Sequence, residues 1–488
     1  MKKLDLGQKE SSSKAVSPAA WRDPDGLGCL TIAVVGLART GRAVAAILRR
    51  RGARVLAYDQ QDYSSDPEIG VLKRAGVSAI FGTEYLRIEE ADLIVPSPGI
   101  RRDSRVLLEA DRRGVPILSE IEVAYRISHA PIIAFTGTNG KSTTTALCGE
   151  MLRSAGIAVA IGGNLAPGTP LAPLAETASE NSVLVAEISS FQLEWIDQFR
   201  PRVAGILNLS AEHLDRHGSL HEYAAAKSRI CENQSGADLA IFGDAFAEAY
   251  PDLLIGAARH YRFCSSHPVE SGAYLDKDRI RIVGRVDPAE ASLPDLSLDL
   301  SRFTLAGRFN RENAMAAALA ALEMGARPEA IERALRTFKG LPHRMELAAE
   351  QNGIRYVNNS MCTNPAAAAA SLEAISGGLV VIAGGRSKGL DMRPFGETLA
   401  RRAHWTVLIG ETADEMAGYF REAGSTSFEL APAMPEAVDA AARRAEPGDT
   451  VLLLPGFSSF DMFRDFEERG RAFVEAARSQ TRDGVGHE

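Results

Sequence analysis

The segment IIAFTGTNGKSTTT, residues 132–145, constrains the fold of this chain more than any other feature of the sequence. Its first half is β-branched and aromatic, which is typical of a buried strand, and this strand ends at Gly137. Gly140, Lys141 and Ser142 then begin a stretch that is typical of a helix. Backbone N–H groups of such a turn converge on phosphate groups, and the helix dipole adds positive potential. The segment therefore predicts an α/β unit that binds ATP, with Lys141 on the β/γ-phosphates and Ser142 on Mg²⁺.

The loop itself, TGTNGKS at 136–142, is shorter than the general phosphate-loop pattern, whose first glycine would fall on Phe135. An ordinary strand-to-helix turn with a capping serine is the alternative interpretation. Gly-Lys-Ser at a predicted helix start, after a buried strand, makes phosphate binding the stronger of the two.

The composition limits the class of protein. A chain of 488 residues with 45% hydrophobic and 24% charged residues predicts about three globular domains. The net charge of −8 argues against non-specific nucleic-acid binding, which needs a basic face. No apolar run approaches the length of a membrane span, and residues 1–28 lack the apolar core of a signal peptide and predict a disordered extension.

Cysteine usage predicts a reducing compartment, so we expect a cytoplasmic protein. The five cysteines are scattered, odd in number and without C-x-x-C spacing, which indicates neither a disulfide framework nor a zinc site. They are Cys29, Cys148, Cys231, Cys264 and Cys362.

Continuous apolar strands alternate with helical segments along the whole chain, which predicts parallel sheets covered on both faces. The predicted fold class is α/β with three domains. The extension at 1–28 precedes an N-terminal Rossmann-like domain at 29–118, a central P-loop mononucleotide-binding domain at 119–340 and a C-terminal Rossmann-like domain at 341–488. Ligands are expected at the carboxyl ends of the strands.

The first βα loop, GLARTG at 36–41, is similar to a dinucleotide-binding fingerprint in which Ala38 replaces the middle glycine. That glycine lets the backbone approach a pyrophosphate, so the replacement counts against a plain NAD site. A different nucleotide diphosphate fits, held by Arg39 and Thr40 and completed by the loop at 97–99. A simple tight βα turn is the alternative.

Acidic and histidine side chains follow the next central strands. Glu187 ends the strand SVLVAEIS, where it predicts a Mg²⁺ ligand, with a helix-capping acid as the alternative. The segment EHLDRH at 212–217 holds two histidines and two acids and predicts a second metal position, with structural histidines as the alternative. Lys227 lies on the predicted helix that follows, where a solvated lysine is the ordinary interpretation.

The third domain offers polar loops after three predicted strands, and we expect them to bind a separate carboxylate ligand. The residues expected to hold it are Thr363, Lys388 and Ser459. Any one of these loops could be a simple turn, but three together favour a site.

Taken in order, these motifs resemble the Mur ligases, the ATP-dependent enzymes that build the peptide of peptidoglycan precursors. The resemblance covers about residues 30–478 and is greatest to the members that add D-glutamate to UDP-N-acetylmuramoyl-L-alanine. It rests on VVGLARTG at 34–41, SPGI at 97–100, TGTNGKST at 136–143, GGNL at 162–165, EISSFQLE at 187–194, EHLDRH at 212–217, AAKSRI at 225–230, NRENA at 310–314, GLPHR at 340–344, GGRSKG at 384–389 and FSSFDMF at 457–463.

The resemblance implies a role for each matching residue. The ATP site comprises Gly137, Thr138, Asn139, Gly140, Lys141, Ser142, Thr143, Asn310, Asn313 and Arg344. The UDP-substrate site comprises Arg39, Thr40, Asp59, Ser97, Gly99, Asn164, Ser189 and Gln192. The glutamate site comprises Thr363, Lys388, Ser459 and Phe466. The catalytic residues are Lys141, Glu187, His213 and Lys227, and the ligands of two Mg²⁺ ions are Ser142, Glu187, His213 and a carbamylated Lys227.

The implied reaction joins glutamate to UDP-N-acetylmuramoyl-L-alanine through an acyl phosphate, with ATP and Mg²⁺ and without nucleic-acid or membrane partners, in a monomer. Asn359 and Met361 stand where the family often has Asp and Lys, which leaves the chirality of the glutamate open. The alternatives are an L-glutamate-adding Mur ligase, a ligase similar to folylpolyglutamate synthetase, and a protein that uses nucleotide as a switch.

Overall fold

The computed structural model describes residues 26–82, 88–165, 168–284, 293–303, 305, 307–375, 377–387 and 389–480. The chain folds into two compact units, 1–338 and 339–488. Within the described part, no helix combines the length and the hydropathy that a bilayer span requires.

The first unit contains thirteen strands and twelve α-helices in its described residues. The strands are β1 Thr31–Val35, β2 Arg54–Asp59, β3 Ser78–Phe81, β4 Leu93–Pro96, β5 Ile132–Thr136, β6 Ala158–Gly163, β7 Ser182–Glu187, β8 Val203–Ile206, β9 Leu239–Gly243, β10 Arg259–Cys264, β11 Gly272–Asp276, β12 Arg279–Val283 and β13 Leu296–Asp299. The helices are α1 Arg39–Arg50, α2 Pro67–Arg74, α3 Arg105–Arg112, α4 Glu120–Ile127, α5 Lys141–Ser154, α6 Leu171–Thr177, α7 Ser190–Leu193, α8 Leu214–His217, α9 Leu220–Ser228, α10 Asp244–Ala249, α11 Arg308–Glu323 and α12 Pro328–Thr337.

Two sheets organise this unit. The first is parallel, in the order β3-β2-β1-β4. The second has nine strands in the order β13-β12-β11-β10-β9-β8-β5-β7-β6, parallel from β6 through β11 and antiparallel over the last two pairs. Because β8, β5 and β7 are parallel neighbours, their carboxyl ends meet at one edge, which brings together the loops after residues 136, 187 and 206.

The alanine-rich helix α11 packs against α5, the helix that follows the phosphate loop. Its residues 314–321 are fully buried, and the small side chains of the six alanines among them let the two helices approach closely. Asn313, which is also buried, is thereby placed beside the loop. A Cβ atom added at Gly140 would lie 2.2 Å from Asn313 Oδ1, so glycine is required at this close approach.

The second unit holds a six-stranded sheet in the order β14-β15-β19-β16-β17-β18, parallel except for the edge pair β14–β15. Its strands are β14 Glu346–Gln351, β15 Ile354–Asn358, β16 Leu379–Gly384, β17 Trp405–Ile409, β18 Phe428–Leu430 and β19 Thr450–Leu453. Its helices are α13 Pro365–Ala374, α14 Arg393–Arg402, α15 Ala413–Glu422, α16 Met434–Arg444 and α17 Phe466–Ser479.

The predicted α/β fold class is confirmed. The expectation of purely parallel sheets holds for the first sheet only, since the other two carry antiparallel strands at one edge. One boundary is wrong: the predicted disordered extension reached residue 28, but Gly26–Cys29 forms a 3-10 turn with Leu27 fully buried in the core. Residues 1–25 of that extension lie outside the described residues. The domain boundaries at 118/119 and 340/341 stay predictions.

Candidate active site

The phosphate loop connects β5 to α5 through two glycines with positive φ, Gly137 at 151° and Gly140 at 80°. The Lys141 ammonium folds back over the loop and donates to the carbonyls of Gly137 at 2.9 Å and Thr138 at 2.8 Å. The lysine therefore already lies above the backbone that would surround a phosphate chain.

Side chains at the end of β8 fix this loop from the next strand. Asn208 pairs with the backbone of Asn139, accepting from its N–H at 2.8 Å and donating to its carbonyl at 3.0 Å. The Thr138 hydroxyl accepts from the backbone N–H of Ser210 at 3.0 Å. Asn208 was not among the residues predicted from the sequence, because an asparagine after a strand has the signature of an ordinary turn.

Glu187 and Ser142 form a buried oxygen pair beside the loop. The Ser142 hydroxyl donates to Glu187 Oε2 at 2.5 Å, and the Asn164 amide donates to Glu187 Oε1 at 2.9 Å. Glu187 is 4% exposed and Ser142 is 2% exposed. Two adjacent hard oxygen donors, one anionic, suit Mg²⁺, so the residues present fit the predicted metal. Asn164, predicted at the UDP substrate, contacts this carboxylate.

Lys227 reaches the same loop from α9. It is 1% exposed, its ammonium donates to the Gly137 carbonyl at 2.9 Å, and it lies 4.4 Å from the centre of the Tyr223 ring. Burial lowers the pKa of the Lys227 amine well below its ordinary value, and the Lys141 charge lowers this pKa further against the opposing effect of nearby carboxylates. The interpretation of Lys227 as a solvated lysine is wrong.

His213 lies at positive φ, 56°, just before α8, with its side chain 45% exposed. Its ring contacts that of Phe191 at 4.9 Å between centroids. His217 has different contacts. Its Nε2 lies 3.0 Å from the Ser190 hydroxyl, and its ring stacks on that of Tyr223. Burial lowers the pKa of His217. Among the described residues, Glu212, His213 and His217 form no group of three ligand atoms, and only Glu212 Oε2 lies near His213 Nε2, at 4.0 Å, so the second metal position stays a prediction.

Arg216 joins this region to the loop after β4. It forms a paired ion bridge with Glu194 and donates to the carbonyls of Pro98 at 3.0 Å and Ile100 at 3.1 Å. Its guanidinium also lies 4.0 Å from the centre of the Phe191 ring. The predicted UDP loop and the predicted metal segment are thus connected through one side chain that the sequence analysis did not single out.

The predicted UDP residues of the first sheet lie at the ends of adjacent strands. Asp59 accepts from the backbone N–H of Leu37 at 2.5 Å, and the Ser97 hydroxyl donates to the Gly36 carbonyl at 2.9 Å. Arg39 donates to the Gly168 carbonyl at 2.7 Å. The first two bonds shape the βα turn itself, whereas the Arg39 bond reaches the segment before α6.

The remaining predicted UDP residues are more dispersed. Thr40 is half-buried on the first turn of α1, and Gly99 is exposed. Ser189 and Gln192 form a reciprocal capping box at the start of α7, which gives both a structural role.

Two residues predicted for the ATP site lie on α11, near the phosphate loop. The Asn313 amide donates to Asn310 at 3.4 Å.

In the second unit, Thr363 lines a shallow hollow with Arg386 and Gly456. Ser459 is buried three residues after Gly456, and its carbonyl accepts from Phe463 N at 2.8 Å. Phe466 begins α17. Lys388 lies outside the described residues.

Arg344 follows the buried His343, which has a positive φ of 61° and whose carbonyl accepts from Met361 N at 3.1 Å. Phe466 reaches the same region, since its ring contacts that of His343 at 6.3 Å between centroids. Burial lowers the pKa of His343.

Arg469 organises the loops around the predicted glutamate site, and the sequence analysis missed it. It is 1% exposed and donates to the Ser360 hydroxyl at 3.0 Å, the Ser360 carbonyl at 2.9 Å and the Phe457 carbonyl at 3.0 Å. Burial lowers the pKa of Arg469 to about 10. Asn359 and Met361, the two departures from the expected pattern, flank Ser360 in the segment that this arginine holds.

Comparison with known proteins identifies the family of this chain. Three family descriptions match the chain in order: "Mur ligase MurD-like, N-terminal domain" over residues 30–119, "Mur ligase middle domain" over 135–321 and "Mur ligase, glutamate ligase domain" over 343–457. The chain belongs to the Mur ligase family.

Individual relatives point to one member of the family. The UDP-N-acetylmuramoylalanine–D-glutamate ligase of Pelotomaculum thermopropionicum is 39% identical over 458 residues, covering 91% of this chain and 96% of that protein. The ligase of the same name from Geobacter metallireducens is 41% identical over 451 residues, covering 91% and 96%.

Solved structures share the fold. MurF ligase from Thermotoga maritima in complex with ADP aligns with a TM-score of 0.54 at 16% identity, over 88% of this chain and 96% of that one. UDP-N-acetylmuramate-alanine ligase MurC from the same organism aligns with a TM-score of 0.52 at 20% identity, over 92% and 100%.

Proposed function

We propose that this protein is the ATP-dependent ligase that joins D-glutamate to UDP-N-acetylmuramoyl-L-alanine, releasing ADP and phosphate. The observation that carries the proposal is similarity over 91% of the chain to proteins named for this reaction. The buried Ser142, Glu187 and Lys227 around one phosphate loop support it, since a plain nucleotide-binding turn needs neither the acid nor the second lysine.

In the proposed reaction, the terminal carboxylate of the UDP substrate attacks the γ-phosphate of ATP, which gives an acyl phosphate and ADP. The amine of glutamate then attacks the acyl carbon, phosphate leaves, and the nitrogen loses a proton as the amide forms. The first step brings two anions together, and the Lys141 ammonium offsets part of their repulsion.

Ser142 and Glu187 would hold Mg²⁺ through the two oxygens that lie 2.5 Å apart. When bound, the ion would neutralise charge between the reacting carboxylate and phosphate. A second ion at His213 remains part of the proposal and is supported by the half-exposed imidazole beside Phe191.

Lys227 is proposed to carry a carbamate. A lysine reacts with CO₂ only as the neutral amine, and the lowered pKa of Lys227 favours that form. The reaction forms an N–C bond and releases one proton, and it converts a buried cation into an anionic oxygen donor suited to a hard metal ion.

The glutamate site is proposed at Thr363, Lys388, Ser459 and Phe466 in the second unit, and the UDP site at the residues around Asp59 and Ser97.

A cytoplasmic location is part of the proposal, and the five free cysteines support it. A monomer is proposed as well, to be tested by sedimentation.

The function is tested by supplying the purified chain with ATP, Mg²⁺, UDP-N-acetylmuramoyl-L-alanine and either D- or L-glutamate. We expect phosphate release and a product of the mass of the glutamylated substrate only with the complete mixture containing D-glutamate. A preference for L-glutamate, or for a folate substrate, would select one of the alternative ligases. Phosphate release from ATP alone, unchanged by either co-substrate, would overturn the ligase proposal in favour of a nucleotide switch.

A further inference from the structure

Asp244, Cys264 and His267 form a cluster in the first unit, outside the proposed active site. Each offers one ligand atom, and these atoms lie within 4.8 Å of one another, which makes this the one such group of three among the described residues. Asp244 and Cys264 are buried and His267 is exposed. The proposed ligase reaction uses none of the three.

The sheet explains why two of these residues meet. Strands β9 and β10 are parallel, with Gly243 opposite Phe263. The next residues, Asp244 and Cys264, therefore lie side by side at the carboxyl ends of their strands. His267 follows three residues later, in the bend between β10 and β11.

The hydrogen bonds of His267 leave one ring nitrogen directed at the cluster. Its Nδ1 lies 3.2 Å from the Pro268 carbonyl, which can only accept, so Nδ1 carries the proton. Its Nε2 lies 3.2 Å from Asp244 Oδ2. In the neutral ring both of these atoms are acceptors, and two facing acceptors at that distance require a cation between them or a proton on Nε2. A backbone carbonyl on the other nitrogen is also the usual support of a metal-ligating histidine.

We propose that Asp244 Oδ2, Cys264 Sγ and His267 Nε2 form a site for a divalent cation of the zinc class. A thiolate, an imidazole and a carboxylate match the ligand preference of Zn²⁺, and Mg²⁺ would disfavour the sulfur. Ligand atoms of a tetrahedral zinc site lie roughly 3.3–3.8 Å apart, so small side-chain rotations suffice. Binding releases the thiol proton of Cys264, and the exposed side of His267 leaves the fourth position to water.

A proton relay is a weaker explanation of the same cluster. Such a relay would need His267 to contact the carboxylate through one nitrogen and the thiol through the other. Nδ1 instead meets the Pro268 carbonyl. The Cys264 sulfur lies 3.3 Å from the Ser266 hydroxyl.

The site would hold the loop after β10 against the start of α11, the helix that carries the proposed nucleotide-binding residues. The intervening residues Ser265 and Ser266 accept from Arg308 at 2.5 and 3.4 Å, and the Ser265 hydroxyl donates to Glu312 at 2.5 Å. Arg308 and Glu312 belong to the first turns of α11, which carries Asn310 and Asn313. A metal ion would therefore fix the loop that holds the start of this helix.

One neighbouring charge opposes the metal. The Arg262 guanidinium lies 3.4 Å from Asp244 Oδ1, the oxygen that faces away from His267. Arg262 thus weakens the donor strength of the carboxylate while leaving Oδ2 available. Its removal by Arg262→Gln should therefore strengthen metal binding through Asp244.

The chain offers a matched control in a second histidine–aspartate pair. His221 Nε2 lies 3.2 Å from Asp252 Oδ2, the same separation as in the proposed site, but the pair belongs to no described three-ligand group. A His221→Ala variant therefore removes an equivalent pair without touching the proposed ligands.

The experiment titrates the metal-free full chain with Co²⁺ and then displaces it with Zn²⁺. We expect a thiolate-to-cobalt absorption band in the wild type and in His221→Ala, and its loss in Cys264→Ser and His267→Ala. Zn²⁺ affinity should fall at least about 100-fold in the last two variants and rise in Arg262→Gln.

Alkylation gives a second readout that does not depend on how well a variant folds. Zn²⁺ should protect Cys264 of the wild-type chain from alkylation, as mapped by mass spectrometry. Absence of the cobalt band in the wild type, or equal Zn²⁺ affinity in wild type and His267→Ala, would overturn the proposal. A loss of binding in His221→Ala equal to that in His267→Ala would overturn it too.

Discussion

Lys227 illustrates how a single residue can differ from what its sequence context indicates. It lies on an alanine-rich helix with no motif of its own, and only the family resemblance suggested a role. The structure buries it completely against the Gly137 carbonyl and the Tyr223 ring. The surroundings also raise the pKa of Tyr223 to about 12 through burial, so this phenol stays neutral beside the lysine.

The Lys227→Ala variant tests the proposed carbamate. It should lower kcat at least about 100-fold, because an anionic donor in the site is lost, and short-chain carboxylates should restore part of the rate. Labelled ¹³C-bicarbonate should give a carbamate NMR signal in the wild type that the variant lacks. Lys141→Ala serves as the control, since it removes a cation that no carboxylate replaces. Full activity of Lys227→Ala would remove the carbamate from the mechanism.

At the scale of elements, α4 carries two buried carboxylates with opposite surroundings. Glu122 pairs with Arg126 and accepts from the backbone N–H groups of residues 197–199. One Glu120 oxygen accepts from Ala172 N at 2.6 Å, and the other has no hydrogen-bond partner among the described groups. Burial accordingly raises the pKa of Glu120 to about 7. Glu120 and Glu122, two residues apart and therefore on different faces of α4, contribute to stability with opposite signs.

The Glu120→Gln variant should reveal this difference through pH. The pKa of Glu120 is higher in the folded than in the unfolded protein, so between these two pKa values the folded protein holds a proton that the unfolded chain has lost. The free energy of unfolding therefore falls as the pH rises through this range, up to the folded-state pKa. The variant should exceed the wild type by on the order of 3 kcal/mol in unfolding free energy at about pH 8, with the gap closing towards about pH 5. Urea unfolding at both pH values measures it.

Glu122→Gln is the matched control on the same helix. It breaks a buried ion pair with Arg126 and should destabilise the protein by about 3–5 kcal/mol at about pH 8. Stabilisation by this variant, or a Glu120→Gln effect that does not change with pH, would contradict the assignment of the two environments.

At the scale of the whole molecule, the sequence was most informative where local pattern and chemistry coincide. The phosphate loop and Glu187 at the end of β7 were predictable, because a buried strand followed by polar residues has a strong local signature. Contacts between distant segments were not. The hydrogen bonds from Arg216 to the 97–100 loop and from Arg469 to Ser360 arise from tertiary packing, which the periodicity of the sequence does not reveal. The cluster of Asp244 with Cys264 and His267 was missed for the same reason, since strand pairing joins residues twenty positions apart.

The corrected end of the N-terminal extension gives a prediction for the full chain. Deleting residues 1–25 should leave turnover and thermal stability unchanged. Deleting 1–29 should lower the melting temperature, because it removes the fully buried Leu27 from the core, at a cost of about 2–5 kcal/mol. Melting curves and phosphate release measure both. Equal stability of the two truncated chains would contradict the role given to Leu27.

The Lys141 and Lys227 amines share the Gly137 carbonyl, and this affects the order in which bicarbonate and nucleotide should be added. The positive charge of Lys141 helps to keep Lys227 unprotonated. A triphosphate that engages Lys141 would offset this contribution, so the pKa of Lys227 would rise while burial still lowers it, and carbamylation would slow. We therefore expect enzyme incubated first with bicarbonate to reach its full rate at once, whereas enzyme given ATP first should show a lag. Identical progress curves in both orders would contradict this dependence.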